Sequence, residues 1–283
     1  MRPKIYLFGD SITEESYSDG GWGASLTNHF SRTADIVLRG YSGYNTRWAL
    51  RVLDEVFPPA VDAAAPVAVA VFFGANDACL PDRYASFQHV PLDEYKRNLH
   101  SIFSSLKKRW PSAVIVFITP PPVDEAARLQ HPYCENPSGL PERTNEVAGA
   151  YAKACVYVAK DCGTPVVDIW TKMQELPDWK NLCLSLALFE MFKCNNHIDA
   201  SIVQKWVWKG DIAHRKKWAS LLLNSGTPSG KTRDGLHLGQ SGNRIVFEEV
   251  VVKLREADVS LEKLPVDLPL FSEIDPKDPL KSF

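Results

Sequence analysis

The sequence predicts an α/β domain of three layers, with helices on both faces of a doubly wound, mainly parallel sheet of five strands. Five short apolar runs lack the alternation of polar residues that one-sided strands show, as expected of strands buried on both faces. Longer helical stretches separate these runs, which is typical of β–α–β units. Polar residues and glycines directly follow the first three runs, where open parallel sheets place their sites.

The predicted strands end at glycine, proline or polar residues. In chain order they cover Ile5–Phe8, Asp35–Arg39, Val67–Phe73, Val114–Ile118 and Val166–Ile169. The third run, VAVAVFF, is the clearest, because it is continuous, rich in valine and bounded by proline and glycine. Connections between parallel strands are right-handed, so the intervening helices are expected to cover both faces of the sheet.

The predicted helices fill the segments between the strands and follow the last of them. They cover Trp22–Arg32, Thr46–Val56, Pro91–Trp110, Glu142–Lys160 and Gln240–Glu256. The third has apolar residues three and four positions apart, which marks an amphipathic helix. Thr46 is a candidate N-cap, and Pro58-Pro59 stops the second helix.

Composition indicates a globular chain with a substantial core. Of its 283 residues, 45% are apolar and 23% are charged, and a chain of this length needs no disulfides to be stable. The net charge of −2 gives no reason to expect nucleic acid or an anionic membrane as a partner. We expect a small-molecule substrate, and the sequence does not indicate an oligomeric state.

The cellular location is predicted from the cysteines and from apolar run lengths. The six cysteines form no CxxC pair, and the first apolar run is too short for a signal-peptide core. No stretch approaches the ~18–20 apolar residues of a membrane-spanning helix. We therefore expect a cytoplasmic protein with reduced cysteines and no stable membrane insertion.

One segment, from about residue 186 to 233, does not fit the pattern. It contains eight lysines and arginines against three acidic residues, with Trp206, Trp208 and Trp218 among them. We interpret the chain as one domain over 1–258, interrupted by this insertion, followed by a proline-rich surface tail over 259–283. A lid, a disordered insertion or sequence from a misassembled gene would each explain the segment. Its composition favours the last two.

The first strand is followed by Gly9-Asp10-Ser11, which makes Ser11 a candidate nucleophile. A serine on the turn between a strand and a helix is exposed at the edge of the sheet. Helix-terminal amides beside it favour the anion that forms after its attack. A capping or turn role for the serine is the alternative, and this short motif alone does not exclude it.

The second and third strands are followed by candidates for stabilising such an anion. Gly40 and Gly43 allow the backbone to approach a reacting group closely. The side-chain amide of Asn76 is a possible donor to an oxyanion, together with the N–H groups of Ser11 and a glycine. For Asp77 we expect a capping or hydrogen-bonding role.

The motif Asp234-Gly235-Leu236-His237 supplies a base and its partner. Histidine takes a serine proton near neutral pH, and a carboxylate fixes its tautomer. Asp234 and His237, three residues apart on one loop, suit these roles. Four alternative bases, His29, His89, His100 and His131, have no carboxylate three residues before them on a short loop. The motifs after the first three strands and the motif from Asp234 to His237 occur in this order, and a chance occurrence of all four is improbable.

These pieces give the chain a family resemblance. It resembles the SGNH/GDSL hydrolases, within the branch of isoamyl acetate-hydrolysing esterases and their plant GDSL esterase/lipase relatives. The matching stretches read FGDSITE, GGWGASL, RGYSGYNTRWAL, FFGANDA, ITPPPVDE, VVDIW and DGLHLGQSGNRIVFEEV. The resemblance implies a flavodoxin-like SGNH hydrolase fold and a serine esterase acting on short-chain, acetyl-type esters.

The resemblance also implies roles for residues. Ser11 would be the nucleophile, His237 the general base and acid, and Asp234 the residue that orients it. Ser11, Gly43 and Asn76 would form the oxyanion hole, with Gly43 preferred over Gly40 for its Ser-Gly-x-x-Thr context. The acyl-enzyme route of this family uses no metal or organic cofactor.

The chain departs from the branch in one respect. The DGLH motif follows the segment LPDWKNLCLS only after the insertion, which is far longer than an ordinary loop. Two alternatives therefore stand beside the esterase. One is a carbohydrate deacetylase or acyltransferase with the same triad. The other is an inactive binding protein in which the insertion has disrupted the triad.

Overall fold

The computed structural model describes residues 2–57, 65–132, 135–184 and 234–282. Its centre is a sheet of five parallel strands in the order β2-β1-β3-β4-β5, which confirms the predicted fold class. The strands are β1 (Lys4–Gly9), β2 (Asp35–Gly40), β3 (Ala68–Phe72), β4 (Val114–Ile118) and β5 (Val166–Val167). The predicted insertion at 186–233 lies outside the described residues.

The direction in which the chain adds strands to the sheet reverses at β1. The chain moves from β1 to one edge at β2, then returns past β1 to β3 and continues towards β5. Crevices at such a switch point, beyond the carboxyl ends of the strands, bind ligands in doubly wound folds. The residues after β1 and β3 are therefore placed side by side, since Gly9 pairs with Phe72 at the end of both strands.

Helices cover both faces of the sheet. They are α1 (Ser11–Glu14), α2 (Trp22–His29), α3 (Thr46–Val56), α4 (Leu92–Arg109), α5 (Glu125–Gln130), α6 (Asn145–Asp161), α7 (Ile169–Gln174), α8 (Trp179–Cys183) and α9 (Gln240–Glu256). Short 3₁₀ turns lie at Glu15–Tyr17, Ser86–Gln88, Phe271–Glu273 and Pro279–Ser282. None of the helices within the described ranges has the length and apolar content needed to cross a membrane.

Alternate side chains of the strands enter two separate cores. Leu7 and Phe72 pack on one face with Trp22 of α2 and Val246 of α9. Phe8, Val71 and Phe117 pack on the other face with residues of α3, α4 and α6. A strand whose two faces are both buried needs apolar residues at every position, which is why the sequence shows continuous runs rather than alternation.

One helix boundary and one helix cap near the N-terminus differ from the predictions, whereas the range Thr46–Val56 of helix α3 is as predicted. Helix α2 ends at His29 rather than Arg32, because Arg32 has a φ of 68°, in the left-handed region that no helix continues through. Helix α3 is capped by Asn45, whose side chain accepts a hydrogen bond from the Trp48 N–H. Thr46, the predicted cap, is the first residue of the helix.

Two further boundaries differ in the second half. Helix α6 begins at Asn145 rather than Glu142, since the side chain of Thr144 caps it by accepting from Val147. The fifth strand ends at Val167 rather than Ile169, because Asp168 caps helix α7. In both places a polar capping residue sets the boundary of a helix inside the range that the apolar pattern indicated.

The tail lies against the start of the domain. Arg32 donates hydrogen bonds to the backbone oxygens of Leu268 and Pro269, and Asp267 forms an ion pair with Arg2. The tail, which is predicted to lie on the surface, therefore makes specific contacts with the N-terminal part of the chain. Two short 3₁₀ turns interrupt the tail near its end.

Candidate active site

One pocket opens at the carboxyl edge of the sheet, next to the switch point. It is lined by Ser11, Ser42, Gly43, Asn76, Gln88, Arg128, Arg143, Leu236 and His237. Its empty volume is about 310 Å3, including space open to solvent. Seven of the nine lining residues have polar side chains, the exceptions being Gly43 and Leu236, and the lining contains Ser11, Gly43, Asn76 and His237 of the predicted site.

Ser11 is the first residue of helix α1, directly beyond β1. Asp10 caps this helix by accepting a hydrogen bond from the Ile12 N–H at 3.0 Å. The chain crosses close to β3 here, since a Cβ on Gly9 would lie 2.5 Å from the Phe72 carbonyl oxygen. The first amides of a helix have no partner within it, and here the Ser11 N–H is the candidate donor beside the Ser11 hydroxyl, since the Ile12 N–H donates to Asp10.

Gly43 occupies a turn beyond β2. The Tyr44 N–H donates to the Tyr41 carbonyl oxygen, and Gly43 has a φ of 78°, the conformation that a type II turn requires at its third residue. Gly43 lines the pocket, whereas Gly40 packs against helix α1, where a Cβ would lie 2.0 Å from the Glu14 nitrogen. The structure therefore places Gly43 at the pocket and gives Gly40 a packing role.

Asn76 follows β3 and faces the same pocket. Its Nδ2 donates to the Tyr44 carbonyl oxygen at 2.8 Å, which connects it to the turn that holds Gly43. The neighbouring Asp77 accepts hydrogen bonds from the Thr46 N–H and hydroxyl at the start of helix α3. The hydrogen-bonding role predicted for Asp77 is confirmed.

Asp234 and His237 share one tightly folded loop before helix α9. Asp234 Oδ1 accepts from the Leu236 N–H at 3.0 Å and from the His237 N–H at 2.9 Å. The Gly235 carbonyl oxygen accepts from the Asp124 N–H at 2.9 Å. Beyond the loop, the Gly239 N–H donates to the Cys183 carbonyl oxygen at 2.7 Å. The loop is thus attached to the domain on two sides.

The three predicted triad residues are in direct contact. His237 Nδ1 lies 2.6 Å from Asp234 Oδ2, and His237 Nε2 lies 2.9 Å from Ser11 Oγ. The Asp234 contact places the Nδ1 proton, so that Nε2 faces the serine as an acceptor. The disruption of the triad considered for the insertion is therefore not seen among the described residues.

Sequence reasoning missed a buried chain of charges behind the pocket. Arg128 Nη1 donates to Asp234 Oδ2 at 3.1 Å, and its Nε donates to Glu142 Oε1 at 2.7 Å. Arg143 Nη1 donates to the same Glu142 oxygen at 2.6 Å. The exposed fractions of these side chains are only 2%, 0% and 4% for Arg128, Glu142 and Arg143. Charges this deeply buried are stable only when they are paired, as they are here.

Arg143 extends this chain to the other side of the pocket. Its Nη2 donates to Asn76 Oδ1 at 2.9 Å and to Gln88 Oε1 at 3.0 Å, and its Nε donates to the Ala75 carbonyl oxygen at 2.8 Å. The sequence predicts a helix over Glu142 and Arg143, and Arg128 and Gln88 belong to no local motif. No short-range pattern announces these residues, because their partners lie far away in the sequence.

The charge chain lowers the pKa of both of its carboxylates. Burial by itself would raise the pKa of Asp234, but His237 and Arg128 outweigh it and hold that pKa well below its ordinary value. Burial likewise opposes ionisation of Glu142, and Arg143 and Arg128 overcome it, so the pKa of Glu142 is lowered. Asp234 is therefore a carboxylate at neutral pH, as the partner of a histidine base must be.

Two other carboxyl groups behave in the opposite way. Burial raises the pKa of Asp10 to about 7, although the Ile12 N–H and His237 act against it. Burial also raises the pKa of Asp77 to about 7, against its hydrogen bonds from Thr46. Among the described residues, neither forms a direct ion pair with an arginine as Asp234 does with Arg128, and this difference separates them from Asp234.

In the described part of the chain, no group of three or more histidine, cysteine or acidic side chains is arranged to hold a metal ion. The arrangement that is present couples a serine hydroxyl to an oriented imidazole, beside a turn amide and a side-chain amide. Such a site can carry out nucleophilic attack on a carbonyl carbon and hold the resulting oxyanion.

Comparison with known proteins agrees with this chemistry. The family model described as GDSL-like Lipase/Acylhydrolase matches residues 5–250. A GDSL esterase/lipase of Arabidopsis thaliana is 54% identical over 285 residues, covering 100% of this chain and 98% of that protein. The isoamyl acetate-hydrolyzing esterase 1 homolog of Homo sapiens is 45% identical over 180 residues, covering 63% of this chain and 71% of that protein.

The fold also matches a solved structure. A lipase/acylhydrolase from Enterococcus faecalis superposes with a TM-score of 0.59 at 20% identity, covering 90% of this chain and 96% of that one. At this identity the likeness concerns the arrangement of strands and helices alone.

Proposed function

The chain belongs to the GDSL-like lipase/acylhydrolase family and is a carboxylic ester hydrolase, and on that premise we propose that Ser11, His237 and Asp234 form its catalytic triad. The substrates we propose are short-chain acyl esters, of the acetyl type. The observation that carries the proposal is the 2.9 Å separation of Ser11 Oγ and His237 Nε2 at the surface of a polar pocket.

In the proposed first step, Ser11 Oγ attacks the ester carbonyl carbon while His237 Nε2 takes its proton. Asp234 accepts from Nδ1 and stabilises the imidazolium that forms. The carbonyl oxygen becomes an oxyanion, which accepts from the N–H groups of Ser11 and Gly43 and from the Asn76 side chain. Collapse of this intermediate expels the alcohol, which leaves with the proton held by His237.

The second half of the proposed reaction repeats these steps with water. Water attacks the acyl group on Ser11, His237 takes its proton, and the same donors hold the oxyanion. The acid then leaves and Ser11 regains its proton from His237. Every group required for this cycle belongs to the residues around the pocket.

The lining of the pocket supports a short acyl group. Around the Ser11 hydroxyl, Ser42, Gln88 and two arginines present polar atoms, and Leu236 is the apolar lining residue. A long acyl chain would need an apolar channel, because burying it against polar groups leaves those groups without partners. The sequence similarity to an isoamyl acetate-hydrolyzing esterase homolog supports the same preference.

Hydrolysis of p-nitrophenyl acetate, butyrate and octanoate by wild type and by Ser11→Ala tests the proposal. We expect the wild type to prefer acetate, with kcat/KM falling as the acyl chain lengthens. Removal of the nucleophile is expected to lower kcat by about 10⁴-fold or more, leaving only the contribution of the oxyanion donors and binding.

A serine-directed fluorophosphonate supplies the control for a poor choice of ester. It is expected to label the wild type at Ser11 and to leave Ser11→Ala unlabelled. A wild type that is folded by circular dichroism, hydrolyses none of the esters and resists labelling would overturn the proposal and favour an inactive binding protein. If the enzyme transfers the acyl group mainly to an added alcohol rather than to water, an acyltransferase with the same triad would be favoured.

A further inference from the structure

We propose that Arg143 is a positioning residue that orients both arms of the oxyanion hole, Asn76 directly and Gly43 through Gln88. The inference rests on the proposed function, because it concerns the donors that the proposed reaction uses. It assigns a role to a side chain that no sequence motif singled out.

The first arm is the Asn76 amide. Its oxygen can only accept and its nitrogen can only donate. Arg143 Nη2 donates to Asn76 Oδ1 at 2.9 Å, while Asn76 Nδ2 donates to the Tyr44 carbonyl oxygen at 2.8 Å. A rotation of the amide by 180° would place its NH2 group against the guanidinium and its oxygen against a carbonyl oxygen. Arg143 therefore holds the amide in the one orientation that leaves a second Nδ2 hydrogen for an oxyanion.

The second arm reaches Gly43. Gln88 Oε1 accepts from Arg143 Nη2 at 3.0 Å, and Gln88 Nε2 donates to the Gly43 carbonyl oxygen at 3.0 Å. The arginine thus decides which end of the Gln88 amide faces the turn. With the Gln88 amide reversed, two carbonyl oxygens would meet and the turn that carries the Gly43 N–H would lose its support. The two hydrogens of Arg143 Nη2 are thus donated one to Asn76 and one to Gln88.

The guanidinium itself is held from behind. Its Nη1 donates to Glu142 Oε1 at 2.6 Å and its Nε to the Ala75 carbonyl oxygen at 2.8 Å. Glu142 also pairs with Arg128, which contacts Asp234. One buried line of alternating charges therefore joins the carboxylate of the triad to the donors of the oxyanion hole. Lysine could supply the charge opposite Glu142, but it lacks the planar fork that reaches Asn76, Gln88 and Ala75 together.

Replacing Arg143 with lysine keeps the charge but removes the planar fork, so it separates a positioning role from simple charge neutralisation. Steady-state hydrolysis of p-nitrophenyl acetate is measured for wild type, Arg143→Lys, Asn76→Ala and the double variant. We expect Arg143→Lys to lower kcat by about 10- to 100-fold with KM within about 3-fold, since a lost oxyanion donor costs about 10²–10³ in kcat. In the Asn76→Ala background, the same substitution is expected to lower kcat by only about 3-fold, because one of its two targets is absent.

Two further variants guard against a loss of folding. Gln88→Met leaves the Arg143–Glu142 ion pair in place and removes the second arm, and it is expected to lower kcat by about 3- to 10-fold at unchanged KM. Arg244→Lys, at a pair with Glu248 on the exposed side of helix α9, is the matched control and is expected to retain wild-type kcat.

The outcomes distinguish this inference from the proposed function. An active wild type with Arg143→Lys and Gln88→Met both at wild-type kcat would overturn the inference and leave the esterase intact. Equal fold-losses for Arg143→Lys in the wild-type and Asn76→Ala backgrounds would also overturn it, since the arginine would then not act through Asn76. A wild type that neither hydrolyses esters nor reacts with a fluorophosphonate would overturn the proposed function, and this inference with it.

Discussion

The two halves of the site are built in different ways. Ser11, Gly43 and Asn76 each follow a strand, so the sheet carries them to one edge. Asp234 and His237 lie on a loop that follows none of the described strands directly and precedes helix α9. Backbone pairing places the first half, whereas side-chain contacts and a few loop hydrogen bonds place the second.

The two halves therefore differ in how a single substitution affects them. The strand-borne residues inherit their positions from β1, β2 and β3, whose pairing many residues share. The loop-borne residues depend on single contacts, chiefly those of Asp234 with Arg128 and of Gly235 with Asp124. We therefore expect a glycine substitution in the loop to destabilise the fold more than a comparable one in a strand-borne turn.

Apart from loss of the Ser11 nucleophile, the largest effect is expected from Asp234→Asn. The amide nitrogen that replaces Oδ2 would face His237 Nδ1 and favour the wrong tautomer of the ring. We expect kcat for p-nitrophenyl acetate to fall by about 10³- to 10⁴-fold. Asp168→Asn, which alters a helix cap away from the pocket, is the control and should keep wild-type kcat. Retention of a tenth or more of the activity by Asp234→Asn would remove the carboxylate from the mechanism.

Paired glycine substitutions compare the two halves directly. At Gly235 (φ 79°) a Cβ would lie 2.3 Å from the Asp124 carbonyl oxygen, whereas at Gly43 (φ 78°) its nearest neighbour would be Gln88 Nε2 at 3.4 Å. From urea unfolding, we expect Gly235→Ala to lower the free energy of unfolding by about 3 kcal/mol or more, since a backbone collision adds to the strain. Gly43→Ala should lower it by about 1–2 kcal/mol, the cost of the left-handed conformation alone.

Gly163→Ala calibrates this comparison. Gly163 has a φ of 61°, and a Cβ added there would meet no atom within 4 Å, so its substitution measures the conformational cost without a collision. The same loss of stability at Gly235 as at Gly163 would mean that the loop moves aside freely, and the two halves would then not differ in rigidity.

Asp10, which precedes Ser11 in the strand-borne half, should make the free energy of unfolding depend on pH. The pKa of Asp10 is raised to about 7 in the folded protein, above its ordinary value of 3.8. The stability from this group is present below pH 4 and is lost as pH rises through 7. Between pH 5 and 8 we expect the free energy of unfolding to fall by about 1–3 kcal/mol through Asp10. Asp234, whose pKa is lowered, loses its contribution only in strong acid.

Urea unfolding of wild type and Asp10→Asn at pH 5 and pH 8 measures this contribution. The variant should lose less stability over that interval, although a slope from Asp77, whose pKa is also about 7, should remain. An unchanged slope in Asp10→Asn would show that its carboxyl group titrates at an ordinary pKa despite its burial.

The smallest effect is expected from removing residues 186–233 and joining the ends with a short Gly/Ser linker. The described flanks are already tied together, because Leu184 forms a bridge with Leu238 and the Gly239 N–H donates to Cys183. We expect kcat within about 10-fold of wild type, since the entropy of closing a chain segment between two fixed ends changes only slightly with its length. A folded deletion variant without activity would assign these residues to the site.

Local patterns in the sequence predicted the strands of the sheet and several residues that line the pocket. The five apolar runs all became strands, and four of the five residues predicted for the triad and its donors line one pocket, with Asp234 directly behind His237. These features are encoded within a few residues of each other, as in Gly9-Asp10-Ser11 or in the loop from Asp234 to His237. Several element ends were predicted less well, because capping side chains such as Thr144 and Asp168 decide them.

The supports of the site could not be predicted in the same way. Arg128, Glu142 and Arg143 lie between β4 and α6, while their partners Asp234, Asn76 and Gln88 lie as far as 106 residues away along the chain. Each of these side chains, read alone, resembles an ordinary charged or polar surface residue. Their burial depends on how the segments that connect strands and helices pack over the edge of the sheet.

Local sequence is enough to predict the class of fold, the strand-end residues and the spacing of aspartate and histidine on one loop, because short-range hydrogen bonds and apolar periodicity encode them. Tertiary packing is needed to bring His237 to Ser11 across 226 residues, to place Gly43 rather than Gly40 at the pocket, and to bring two arginines to Glu142 behind it. The physical reason is burial: a charge or an amide acquires its partner, and its pKa, from whatever the fold brings against it after water has left.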